Sequence, residues 1–159
     1  MNKLKVKPAN MLEMANRQKI IAFEEALAAL PGSTFGDSDR APLEHFFANG
    51  IYCRKIFIPA GTMGTGKIHR HEHPNFLLSG RVTVFTEDHG SEVIEGPKFM
   101  MSKAGTKRAL YAHTDTVWFT IHRTDSTDLK VIEDEVIAKT YEELDNTERK
   151  ELPCPGFWL

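Results

Sequence analysis

The segment Asn75-Phe-Leu-Leu-Ser-Gly-Arg-Val-Thr-Val-Phe-Thr86 decides the fold of this chain. After Gly80, apolar and polar residues alternate, the two-residue period of a strand with one face buried. Asp88-His89-Gly90 then supplies a hairpin turn, and Ser91-Glu-Val-Ile94 reads as the returning strand. Upstream, Ile51-Tyr-Cys-Arg-Lys-Ile-Phe-Ile58 is β-branched and aromatic, and Pro59-Ala-Gly61 ends it. Downstream come Lys98-Phe-Met-Met101, Thr106-Lys-Arg-Ala-Leu-Tyr111 and Thr116-Val-Trp-Phe-Thr-Ile-His122. Between residues 51 and 122 there is no helical periodicity. Short strands at roughly 8–12-residue intervals predict an all-β sandwich or barrel.

The flanks read differently. Asn10 and Glu13 have the spacing of a capping box, and Ile20, Phe23, Leu27 and Leu30 form an apolar stripe. Pro31-Gly32 stops it, so one helix is expected over roughly residues 11–30, either covering a face of the domain or making a dimer contact. Residues 31–50, rich in Gly, Asp and Pro, read as a long loop. The expected division is therefore helix and loop over 1–50, barrel over 51–124 and an extension over 125–159. In the extension, Leu129, Ile132 and Val136 fit a helix face, while Val136-Ile-Ala138 fits a strand. Thr140 with Glu143 makes a second capping-box pattern. The tail Leu152-Pro-Cys-Pro-Gly-Phe-Trp158 is expected to be irregular, because proline removes backbone donors. Phe157 and Trp158 either dock on their own domain or meet an assembly partner.

Composition narrows the function. At 159 residues the chain is long enough for one domain with a sizeable core, and its 41% hydrophobic and 26% charged fractions are those of a soluble globular protein. A net charge of -2 makes no field for a polyanion, so no nucleic-acid partner is expected. No apolar run reaches membrane-spanning length, and the basic start, with no apolar core and small-residue cleavage site after it, is not expected to be a signal peptide. Cys53 and Cys154 are too few for a disulfide framework, which points to a reducing, cytoplasmic setting. Gly61-Thr-Met-Gly-Thr-Gly66-Lys is glycine-rich but lacks the spacing of a phosphate-binding loop and precedes no helix.

The chemistry concentrates in Lys67-Ile-His69-Arg-His71-Glu-His73-Pro-Asn75, which holds three of the seven histidines at alternate positions. In an extended strand alternate side chains share a face, so His69, His71 and His73 are a candidate ligand set for a divalent transition metal, Zn, Fe, Mn or Ni. His113 and His122 are candidates for a further nitrogen; His122 shares a strand face with Trp118 and Thr120. A second arrangement stays open. If the strand ends near His69, Arg70 to Pro74 form a turn and only two of the three imidazoles converge. Glu72 is the acid nearest the cluster.

Two landmarks resemble the cupin superfamily of small jelly-roll (double-stranded β-helix) barrels. The histidine-rich segment running into Phe76-Leu-Leu-Ser-Gly80-Arg-Val-Thr-Val is similar to the first cupin motif. Gly96-Pro-Lys-Phe-Met-Met-Ser-Lys-Ala-Gly105-Thr-Lys-Arg is similar to the second. The resemblance spans residues 51–122 and implies a cupin-like double-stranded β-helix with an N-terminal helix and an irregular or short-helical C-terminal extension. On one register it puts His73 where the acidic ligand usually stands, with His69 as one paired histidine and Lys67 in place of the other. On another, His69-Arg-His71 is the pair. It puts Arg108 where a fourth ligand is usual, and Lys103 where proline is typical.

A guanidinium cannot bind a cation, but its fork suits carboxylate or phosphate. Arg108, His113 and His122 are thus candidates for holding a small anionic ligand beside the metal. The resemblance implies either such binding or a metal-dependent oxygenase, isomerase or lyase, in which the metal acts as Lewis acid or activates water or oxygen. Gly105-Thr-Lys-Arg and Val117-Trp118 are also similar to small cupin-like proteins encoded by tailed bacteriophages. That likeness implies the alternative, a non-catalytic structural or interaction module, virion-associated, working through residues 11–30 or the C-terminal tail. A symmetric homodimer is the default assembly for either reading.

Overall fold

Residues 11–145 are described by the computed structural model. The Asn10 cap and the tail with Cys154, Phe157 and Trp158 lie outside the described residues. Helix α1 (Met11–Ala28) leads to β1 (Leu43–Ala48), β2 (Ile51–Ile58), β3 (Met63–Thr65), β4 (Ile68–His69), β5 (His73–Ser79) and β6 (Arg81–Thr86). Then follow β7 (Gly90–Glu95), β8 (Lys98–Ser102), β9 (Ala109–Ala112), β10 (Thr116–Arg123), α2 (Leu129–Val136), β11 (Ile137–Ala138) and α3 (Glu142–Asp145). The expected all-β body is present. Its five-stranded sheet has the order β1-β2-β10-β5-β8 and its four-stranded sheet the order β3-β9-β6-β7, every pairing antiparallel.

The two sheets close on a shared core. Ile58, Leu77 and Trp118 from the larger sheet meet Val82, Val84, Ile94 and Ala112 from the smaller one. Val82 and Val84 turn inward and Thr83 outward, so the alternation after Gly80 is used as the sequence predicts. Gly80 itself has φ 99°, and a Cβ there would sit 2.6 Å from the Asp115 carbonyl oxygen. Only glycine fits at that junction of β5 and β6.

The loop expected over residues 31–50 is corrected at its end. Leu43–Ala48 forms a hairpin with β2, pairing Phe46 with Cys53 and Phe47 with Tyr52. Leu-Glu-His-Phe-Phe-Ala does not alternate cleanly, so local pattern does not reveal a strand whose support is the neighbouring edge. The extension holds both structures that its sequence left open, helix α2 and then β11. Asp128 caps α2 by accepting from the backbone N–H groups of Lys130 and Val131 at 2.8 and 3.3 Å.

Helix α1 lies on the outer face of the four-stranded sheet, with Ile20 fully buried and Phe23 beside it above Thr83, Phe85 and Tyr111. Lys107 pins it by a bidentate ion pair to Glu24 at 2.7 and 2.8 Å. Across the molecule, the outer face of the five-stranded sheet leaves Phe46, Leu78, Phe99 and Met101 exposed. Among the described residues no helix is long and apolar enough to cross a membrane.

Candidate metal centre

The inner face of the larger sheet is laid out in rows by its register. One row joins Tyr52 to His122 across β2 and β10, and His73 to Ser102 across β5 and β8. The next joins Arg54, Thr120, Asn75 and Met100, and the third Ile56, Trp118, Leu77 and Lys98. The barrel interior is therefore apolar at one end and polar at the other. Helix α2 closes the polar end by packing Ile132 and Val136 against Tyr52.

His69, His73 and His122 converge there. Their ring centroids lie 4.2 Å (His69–His73), 5.3 Å (His69–His122) and 4.6 Å (His73–His122) apart, and one ring nitrogen from each falls within 4.8 Å of the others. All three are buried. His69 reaches the group from β4, which pairs with β11 and whose His69 carbonyl accepts from the Gly105 N–H at 2.8 Å. His73 Nδ1 faces the His71 carbonyl at 3.2 Å. A carbonyl only accepts, so that contact puts the proton on Nδ1 and leaves the Nε2 lone pair free. His73 Nε2 and both ring nitrogens of His69 are buried without a hydrogen-bond partner among the described residues. Buried polar atoms of this kind are rare and costly unless something binds them.

Electrostatics keeps these rings neutral. Burial, then repulsion from His73 and His122, holds His69 well below the ordinary imidazole range. Burial lowers His73 to about 4 against the opposing hydrogen bond to the His71 carbonyl. Burial, then His73 and Arg54, lowers His122 to about 3. A neutral, all-nitrogen donor set is what a borderline transition metal ion binds, and so the residues present fit such an ion.

Arginines flank the triad. Arg108, just before β9, donates to Ser102 Oγ at 2.5 Å, and its guanidinium carbon stands 5.7 Å from the centre of the Trp118 ring. Asn75 locks this wall: Nδ2 donates to Ser102 Oγ at 2.6 Å and to the Met100 carbonyl at 3.2 Å, while Oδ1 accepts from Trp118 Nε1 at 3.1 Å. Arg54 approaches from β2 and contributes to the field at all three imidazoles.

The expected residues divide cleanly. His69, His73 and His122 come together, with Arg108 beside them. His71 does not join them: β4 ends at His69, Arg70 and His71 form a bend, and the His71 side chain is exposed. The strict alternation expected over His69, His71 and His73 is broken by that turn. Arg70 fixes it, taking the Val136 carbonyl with its N–H, the Ile137 carbonyl with Nε and Glu143 with its guanidinium, at 2.8, 2.8 and 2.7 Å. His113 is also displaced from the expected ligand site. Its turn faces outward, its ring is exposed, and it lies 2.7 Å from Thr83 Oγ1. Glu72 is exposed. Sequence reasoning passed over Arg54 and Tyr52, although Tyr52, Arg54, Ile56 and Ile58 alternate along β2 in a pattern that puts all four inward.

No protein-family model and no curated protein sequence matches the chain. Solved structures do. A crystal structure of salicylate 1,2-dioxygenase from Pseudoaminobacter salicylatoxidans, in its adduct with gentisate, is 10% identical and superimposes with a TM-score of 0.51. The match covers 76% of this chain and 34% of that one, so this chain spans about a third of the dioxygenase. KdgF from a Halomonas species is 10% identical with a TM-score of 0.49, covering 60% of this chain and 90% of that one. A protein from Neisseria meningitidis is 14% identical with a TM-score of 0.45, covering 63% and 93%. At these identities the likeness is one of fold, and the dioxygenase match carries it: the chain is an all-β, cupin-like jelly roll with an N-terminal helix and a short C-terminal helix.

Proposed function

We propose that this protein binds a small anionic ligand at a divalent transition-metal ion held by His69, His73 and His122. The observation that carries the reading is the set of orphaned imidazole nitrogens: three neutral rings from β4, β5 and β10 converge, and His69 and His73 leave buried nitrogens with no partner among the described residues. When bound, the ion supplies Lewis-acid polarisation of a ligand oxygen or activation of bound water. The chain supplies the rest. The His71 carbonyl fixes the His73 tautomer, Tyr52 stacks on His122 with centroids 6.1 Å apart, and the Tyr52 hydroxyl is anchored to His45 Nδ1 at 2.7 Å. Arg108, oriented by Ser102, offers its remaining donors to an acid. Because the donor set lacks a carboxylate, Zn, Fe and Ni suit it better than Mn.

Protein purified without a polyhistidine tag and dialysed against each ion tests this by elemental analysis and calorimetry. One retained ion per chain is expected, with acetate binding to the loaded protein and Arg108→Met weakening acetate by ~10-fold. A well-folded chain that retains no ion contradicts the reading.

A further inference from the structure

The row beneath the histidines has polar capacity that nothing among the described residues uses. Asn75 is saturated by Ser102, Met100 and Trp118. On the same row, the Thr120 hydroxyl is buried without a partner among the described residues. The guanidinium of Arg54, its register neighbour across β2 and β10, makes no hydrogen bond or ion pair to another described residue. The carboxylates whose charge reaches the two arginines are Glu133 for Arg54 and Asp88 for Arg108. Each is already engaged by a lysine, Glu133 by Lys67 and Asp88 by Lys103. Desolvating a guanidinium without an anion is costly, and here two of them face three neutral imidazoles.

Building on the metal-centred reading above, we propose that the ligand is a short aliphatic diacid of succinate or glutarate length. One carboxylate lies at the metal and Arg108, and the other is clamped by Arg54 and the Thr120 hydroxyl. Three features favour a diacid over a monoacid or a compact anion. A divalent ion on neutral ligands beside Arg54 and Arg108 leaves the site with a large positive excess, which one carboxylate does not neutralise. Arg54 presents a planar fork suited to bidentate contact with a carboxylate. The Arg54–Thr120 row lies two residues along the strands from the Tyr52–His122 row, a displacement of about 6.8 Å, too long for one tetrahedral anion to bridge both ends.

Calorimetry of the metal-loaded protein with succinate, glutarate, acetate and sulfate tests the assignment, with metal content and melting temperature followed in every variant. The better diacid is expected to bind at least ~10-fold more tightly than acetate or sulfate. Arg54→Met should erase that preference with the metal retained, Thr120→Val should weaken it, and Arg54→Lys, which keeps the charge and loses the fork, should restore part of it. Equal binding of diacid, acetate and sulfate, or equal loss of diacid and acetate affinity in Arg54→Met, overturns the assignment and leaves the metal centre standing. Failure of the unsubstituted protein to retain an ion overturns the metal reading and this assignment with it.

Discussion

The rings of His69 and His122, from β4 and β10, stand 5.3 Å apart with their planes only 5° from parallel, and His73 leans on both. Two imidazolium cations cannot rest face to face in a buried space, so the fold itself requires uncharged rings. The same requirement serves a metal ion, which binds the lone pair that a proton would take.

A pH dependence of the metal-free fold follows. Folded His73 and His122 hold their proton only below about 4 and about 3, whereas the same rings in the unfolded chain titrate near the ordinary imidazole value of 6.5. The unfolded state therefore takes up protons first as pH falls. Stability is highest above pH 6.5, declines as pH drops through it, and goes on declining until the folded rings themselves protonate. Each ring steepens the decline by up to about 1.4 kcal/mol per pH unit. Urea titrations of chelator-treated protein between pH 7.5 and 5 should show the loss, and His122→Phe should make it shallower.

Metal retention should discriminate among the histidines. His69→Ala and His122→Ala are expected to abolish stoichiometric binding. His71→Ala and His113→Ala are expected to leave it intact, because both rings are exposed and outside the group. Elemental analysis of dialysed variants, with circular dichroism as the folding control, reads the difference.

Ser102 separates metal binding from anion binding. Its hydroxyl accepts from both Arg108 and Asn75. Ser102→Ala leaves two buried donors unmet and frees Arg108 to turn, so it should cost about 1–3 kcal/mol of stability. The expected signature is lower acetate affinity at unchanged metal content, measured by calorimetry.

Gly80→Ala tests the barrel rather than the site. The new Cβ would meet the Asp115 carbonyl at 2.6 Å on a backbone with φ 99°. A loss of about 2–4 kcal/mol in denaturant stability is expected.

The legible parts of this chain are those governed by a short, regular period. Val82 and Val84 alternate with Thr83 and turn inward; Trp118, Thr120 and His122 share a strand face, and that face meets the site. The sequence leaves His71 open between a continuous strand and a turn from Arg70; the turn is present, and what sets it, the contacts of Arg70 with Val136, Ile137 and Glu143, lies far along the chain. Strand β1 is not legible in the sequence because Phe46 and Phe47 are adjacent, and its support comes from β2. Arg54 lies within an alternating run, but only the finished barrel shows that Glu133, the carboxylate whose charge reaches it, is already paired with Lys67.

The most direct test is anomalous diffraction at the absorption edge of the retained metal, from crystals of the loaded protein. The account predicts one strong peak at about 2.0–2.1 Å from a ring nitrogen of each of His69, His73 and His122. No peak at that position in loaded crystals, or a peak coordinated through His71, would contradict it.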